Sequence, residues 1–167
     1  VMVIHDATVD ATTNARGPVA NADLAGLQSL DAGSWFDPRF AGERIPTLLE
    51  VFEALPAETM VNVEIKSDRS LRHNDLLALV GLTFDVVRSC GREQTVIFSS
   101  FDPRAVRILA RLAPDIDRAL LVDRKRPWWL VLLSLGLEMQ AIHPHFSRVD
   151  AAFMERASRK GWRVNVW

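Results

Sequence analysis

One cysteine, Cys90, is all the thiol the 167-residue chain contains, which excludes an internal disulfide framework. It fits a reducing compartment, favouring the cytoplasm without excluding export. A dominant charge sign is missing too. The 20 basic side chains against 21 acidic ones leave a net charge of −1, so bulk electrostatics direct the protein to neither nucleic acid nor an anionic membrane. Nor is there a long apolar run. The most hydrophobic stretch, Trp128 to Leu137, is broken by Ser134 and Gly136 and falls well short of the ~20 residues that a spanning helix needs. It reads as a buried or interfacial segment. With Arg124, Lys125 and Arg126 ahead of it and two tryptophans at its start, peripheral contact with a membrane surface is the alternative. Low-complexity linkers, charge blocks and internal repeats are absent, so the chain reads as one cooperative unit.

What is present is the balance of a folded domain: 49% hydrophobic and 25% charged residues, enough to bury a real core. The chain opens on Val1 inside an apolar run (Val1, Met2, Val3, Ile4) and stops at Trp167 inside another (Val164, Val166, Trp167). Domain termini are usually polar and frayed, so this reads as an internal segment of a longer protein. Short β-branched runs alternate with amphipathic ones. The expected strands are Met2 to His5, Met60 to Ile65, Thr95 to Ser99, Arg118 to Val122, Gln140 to His143 and Arg163 to Trp167, several apolar at nearly every position as in sheets covered on both faces. Between them, Thr47 and Glu50 form a capping box for a helix through Leu55 that Pro56 ends. Asn74 caps a run from Asp75 to about Ser89, closed by Gly91. Asp102 and Pro103 open a helix over Ala105 to Leu112 that Pro114 stops, and Asp150 opens the last, closed by Gly161. Strand, helix, strand at this spacing implies a parallel sheet with right-handed crossovers, either an α/β barrel or an open doubly wound sheet.

One region breaks the alternation. From Asp6 to Pro46 there is only a short helical signal around Asp23 to Leu27, many turn residues, and the pair Trp35 and Phe36, which reads as a hydrophobic plug under a long loop. Loops this long in a compact domain are usually functional, and this one follows the C-terminal end of a strand, where α/β proteins place their sites. His5 and Asp6 end the first strand, Glu64 and Lys66 the second, Ser99, Ser100 and Phe101 the third, and His143 the fifth. The period of two puts Glu64 and Lys66 on one side of their strand. Such a pair binds a divalent cation and an anion, or neutralises itself. His-Asp alone is also a common turn, and Ser-Ser-Phe before Asp-Pro a common entry to a capped helix.

In their order these segments resemble the glycerophosphodiester phosphodiesterase family. Val3-Ile4-His5-Asp6-Ala7-Thr8 is similar to its His-Asp segment, Leu30-Asp31-Ala32-Gly33-Ser34-Trp35-Phe36 to its insertion, and Ile45-Pro46-Thr47-Leu48 to its Ile-Pro-Thr-Leu segment. Asn62-Val63-Glu64-Ile65-Lys66 resembles its Glu-Ile-Lys strand, Ser99-Ser100-Phe101-Asp102 its Ser-Phe-Asp turn, and Gly161-Trp162-Arg163-Val164-Asn165-Val166-Trp167 its tryptophan-ended strand. The resemblance implies a TIM-type (β/α)₈ barrel, incomplete here, with the first strand or two and the last strand missing. Residues 1–167 would form the partial barrel domain and 7–46 its small inserted subdomain. It implies a phosphoric diester hydrolase of lipid-derived glycerophosphodiesters. His5 is then a catalytic acid/base with Asp6 behind it, Glu64 a ligand for Mg²⁺ or Ca²⁺, and Lys66, Phe101 and Trp167 substrate-binding residues. The family's His-Arg-Gly and Glu-x-Asp motifs would precede Val1. If the segment is folded, its cut sheet edges are expected to be exposed and prone to associate. Two other readings stay open: a Schiff-base aldolase or lyase using Lys66, and a binding module or inert fragment.

Overall fold

The computed structural model describes residues 1–67, 70–124 and 136–167. Except for Gly136 and Leu137, the Trp128 to Leu137 run lies outside the described residues, as do Lys125 and Arg126. Among the described residues no helix is long and apolar enough to cross a membrane. Although composition marks no boundary, the chain packs as two compact units, Val1–Pro56 and Ala57–Trp167.

The second unit is a five-stranded parallel sheet: β1 (Val61–Glu64), β2 (Val96–Ser100), β3 (Asp117–Val122), β4 (Ala141–Pro144) and β5 (Arg163–Val164), hydrogen bonded in sequence order. A doubly wound sheet reverses its strand order at a switch point; this one does not, and sequential order is that of a (β/α) barrel wall. Among the described residues the sheet is not closed, and β1 and β5 are its edges. Register runs Glu64 to Ser99, Ser99 to Ala119, Ala119 to Ala141 and Ala141 to Arg163.

Alternation along these strands divides two faces. Leu120, Val122 and Ile142 pack with Val106 of α4 (Pro103–Leu112) and with Phe153 and Ala157 of α5 (Ala151–Arg159) in one buried cluster. Each fully buried aliphatic side chain there stabilises by about 1.5–3 kcal/mol. Both helices start where their caps direct. Asp102 accepts from the Arg104 amide with Pro103 in the first turn, and Asp150 accepts from the Phe153 amide. Gly161 closes α5 at φ +69°, a conformation that a side chain would strain. At the N-terminal end of the sheet, the buried Arg118 guanidinium donates to the carbonyls of Glu138, Pro114 and Ile116 and ties the loops there.

α3 (His73–Ser89) begins earlier than an Asn74 cap allows. Its N-cap is Arg72, whose Nε lies 2.8 Å from Asp75 Oδ2, so an ion pair spanning the first turn replaces the side-chain cap. Leu76, Val80, Thr83 and Val87 then fall on its buried stripe.

The first unit contains α1 (Leu24–Gln28) and α2 (Leu48–Ala54), the latter opened by the expected Thr47–Glu50 capping box. The expected strand at Met2 to His5 is not one: the segment makes an isolated antiparallel bridge, Met2 to Thr47, flanked by Val3 N donating to Pro46 O and Leu48 N donating to Val1 O. Its backbone is satisfied by the stretch leading into α2 rather than by a ladder. A small core of Val9, Leu27 and Ile45, lined by Met2, Ile4, Ala15, Val19, Leu30 and Ala32, holds the unit together. Trp35 and Phe36 are not its plug. They are 55% and 72% exposed, because the smaller aliphatics fill the core and the Trp35 indole is held outside by its N–H donating to Ala32 O at 2.8 Å. That turn is built on Asp31, which accepts from the Gly33 and Ser34 amides and the Ser34 hydroxyl. The Ser34 hydroxyl and amide bonds hold its carboxyl far below the usual carboxylate range. Gly33 is obligatory there, since a Cβ would lie 1.9 Å from Phe40 O.

Candidate active site

Glu64 is the last residue of β1, and Lys66 lies two residues on along the same extended stretch. The structure brings them together, with Nζ 3.2 Å from Oε1, the lysine side chain 41% exposed and the carboxylate 26%. Across the β1–β2 register, Ser99 partners Glu64 and shares its face. Its hydroxyl is fully buried and has no hydrogen-bond partner among the described residues.

Phe101 follows β2 and Trp167 follows β5, three residues beyond Val164. The rings meet edge to face, centroids 5.5 Å apart at 89°. Trp167 is fixed from several sides. Its indole N–H donates to His143 O at 3.0 Å. Its amide donates to Pro144 O, its carbonyl accepts from the Phe146 amide, and its ring stands edge-on to His145 at 4.9 Å. The C-terminal strand ends thus present an ion pair and a partly exposed aromatic wall.

His143 and Asn165 complete this end of the sheet; the sequence marks His143 as a strand-end residue without giving it a role, and Asn165 is not singled out. His143 Nε2 and Asn165 Nδ2 are 2.8 Å apart; with the amide N–H as donor, the neutral ring carries its proton on Nδ1. Burial, helped by the positive charge of Arg163, pushes His143 below the ordinary imidazole range. A signal was available: Asn165 lies two residues before Trp167, on the same strand face.

His5 and Asp6 belong to the first unit. His5 Nδ1 lies 2.7 Å from Asp6 Oδ1, and both side chains are exposed, at 85% and 46%. The carboxylate orients the ring and leaves Nε2 as the nitrogen turned to solvent.

Among the described residues no group of three or more His, Cys, Asp or Glu gathers to hold a metal. In kind, the Glu64 carboxylate is the hard oxygen donor that Mg²⁺ and Ca²⁺ take, and these residues supply one such ligand.

The model of the glycerophosphoryl diester phosphodiesterase family matches residues 1–167. A glycerophosphodiester phosphodiesterase of Caldanaerobacter subterraneus is 35% identical over 170 aligned residues, covering 100% of this chain and 67% of that protein. An Oleispira antarctica phosphodiesterase, solved in complex with the product sn-glycerol-3-phosphate, superposes with a TM-score of 0.85 at 27% identity, covering 99% of this chain and 66% of that one. A glycerophosphodiester phosphodiesterase of Agrobacterium tumefaciens gives a TM-score of 0.73 at 27% identity, with 99% and 66% coverage. The chain spans about two thirds of the length of each of these proteins.

Proposed function

Because the chain belongs to the glycerophosphoryl diester phosphodiesterase family, we propose that it carries part of the active site of a metal-dependent hydrolase that converts glycerophosphodiesters into sn-glycerol 3-phosphate and an alcohol. The observation that carries this reading is the Glu64–Lys66 pair at the end of β1, beside the Phe101–Trp167 wall, in a chain that superposes on a phosphodiesterase holding that product. Residues 1–167 form the partial barrel domain, with 7–46 as its insertion.

A phosphodiester is anionic and repels nucleophiles. The Lys66 ammonium faces the nonbridging oxygens and offsets the charge that grows on them as an oxygen nucleophile, water or the glycerol hydroxyl, attacks phosphorus. The partly exposed faces of Phe101 and Trp167 bind the carbon skeleton of the glycerol. Glu64 would hold the divalent cation, Mg²⁺ or Ca²⁺, which when bound would supply further charge neutralisation at the phosphate. As the bond from phosphorus to the leaving oxygen breaks, His5 Nε2 delivers a proton to that oxygen, with Asp6 fixing the ring through Nδ1; the proton lost by the attacking oxygen passes to solvent, from which His5 is reprotonated.

The Schiff-base alternative is served by an amine that is desolvated or set beside another cation, whereas Lys66 is two-fifths exposed and paired with a carboxylate. Borohydride trapping with carbonyl substrates tests it: no adduct at Lys66 is expected, and a covalent adduct there would overturn the phosphodiesterase reading. In the intact protein, His5→Ala should abolish turnover of glycerophosphocholine while leaving metal affinity nearly unchanged; retained turnover removes His5 from the mechanism.

A further inference from the structure

Lys66 and Phe101 stand on two neighbouring strand ends, and the residues on either side of each are tied across the gap. Ser100 Oγ donates to Ile65 O at 2.8 Å and accepts from the Asp102 amide at 3.0 Å. Ser67 Oγ donates to Asp102 Oδ2 at 2.8 Å. The residue before and the residue after Lys66 are therefore each bonded to the turn that bears Phe101. Along an extended chain, Ile65, Ser67, Ser100 and Asp102 alternate with Lys66 and Phe101, so the bracing lies on one side and leaves the other to the two site residues.

The second rung is anchored more firmly than a loop contact requires. The Asp102 side chain is 6% exposed. Its Oδ1 caps α4 through the Arg104 amide at 2.9 Å, and the Arg104 guanidinium lies on the same carboxylate at 2.7 to 3.1 Å. Arg104 also reaches Leu71 O at 3.0 Å, just before α3. A carboxylate needs neither the arginine nor the serine to cap a helix. The additional bonds hold Ser67 and the Leu71 carbonyl to the first turn of α4.

We propose that Ser67 and Asp102 are positioning residues, which set Lys66 relative to Phe101 by clamping the residue that follows Lys66 to the start of α4. The proposal rests on the phosphodiesterase reading for its effect on turnover, but the clamp itself is measurable apart from it. Ser67→Ala removes the rung and keeps the Asp102 cap; Ser67→Thr restores a hydroxyl. The lysines of this chain are Lys66, Lys125 and Lys160, and in the intact protein the Lys66 and Lys160 ¹³C-dimethyl-lysine resonances are assigned by their loss in Lys66→Arg and Lys160→Arg. In the intact protein, Ser67→Ala is expected to move the Lys66 resonance toward that of Lys160, leave Lys160 unchanged and lower kcat/KM for glycerophosphocholine about tenfold. Ser67→Thr should return both to the unsubstituted values. A Lys66 resonance unmoved in Ser67→Ala, or turnover within about twofold of the unsubstituted protein while that protein is active, overturns the proposal. A resonance that moves and is rescued by threonine in a protein without turnover supports the clamp and counts against the phosphodiesterase reading instead.

Discussion

Replacing Asp102 by alanine should lower the melting temperature of the protein by about 10 °C. The side chain performs three separable tasks. It caps α4 through the Arg104 amide, a contact worth about 1 kcal/mol. It pairs with the Arg104 guanidinium, itself 37% exposed, so the charge-assisted bonds, discounted for solvent screening, contribute about 1 kcal/mol. It accepts from Ser67, another ~1 kcal/mol. The sum of about 3 kcal/mol corresponds to roughly 10 °C at 2–4 °C per kcal/mol for a domain of this size. Differential scanning calorimetry at pH 7 reads it directly, with Asp102→Asn, which keeps the cap and loses the charge, melting between Asp102→Ala and the unsubstituted protein. Acid adds a second arm. Burial alone raises the Asp102 carboxyl, but the Arg104 and Ser67 hydrogen bonds outweigh it and leave the group below its ordinary 3.8. A depressed carboxylate stabilises above its unfolded value and loses that contribution as pH falls through the folded one, so the gap between Asp102→Ala and the unsubstituted protein should narrow below about pH 3.8, leaving the part due to the cap. An Asp102→Ala protein that melts within 2 °C of the unsubstituted one would refute the reasoning.

Two further outcomes follow from groups elsewhere in the fold. His143 is held below its ordinary 6.5, so the unfolded chain takes up a proton that the fold refuses: stability should be full above about pH 6.5 and decline below it, and circular-dichroism melts of His143→Gln should show a shallower slope between pH 7.5 and 5.5. Gly33→Ala places a methyl 1.9 Å from Phe40 O and should destabilise the first unit by more than about 2 kcal/mol. Faster proteolysis within residues 1–56 while the 57–167 unit stays resistant is the expected pattern, and equal resistance to the unsubstituted protein contradicts it.

Much of this architecture is legible in the sequence because its determinants are local. Thr47, Asp102 and Asp150 cap helices through bonds to residues two or three positions on, and the β-branched runs carry their own strand signal, so β1 to β5 fall within a residue or two of expectation except where β5 shortens to Arg163–Val164. Glu64 and Lys66 are legible as a pair because period two alone puts them on one side. Contacts that depend on distant segments leave no such trace. Ser67 meets Asp102 across 35 positions and Asn165 meets His143 across 22, so neither stood out. Met2 to His5 has the composition of a strand, but composition does not say whether a ladder partner exists, and the backbone finds one bridge at Thr47. Trp35 and Phe36 were placed inside by hydrophobicity alone; the core of their unit is small enough for Val9, Leu27 and Ile45 to fill.

The central claim is that the strand-end pair serves phosphodiester hydrolysis. Its most direct measurement is release of sn-glycerol 3-phosphate from glycerophosphocholine by the intact protein, followed with and without a chelator and compared with Lys66→Met. The account predicts product release that the chelator stops, and a loss of kcat/KM of at least about a hundredfold in Lys66→Met. Product release unchanged in Lys66→Met, or a folded intact protein that releases none at any divalent-metal concentration, would contradict it.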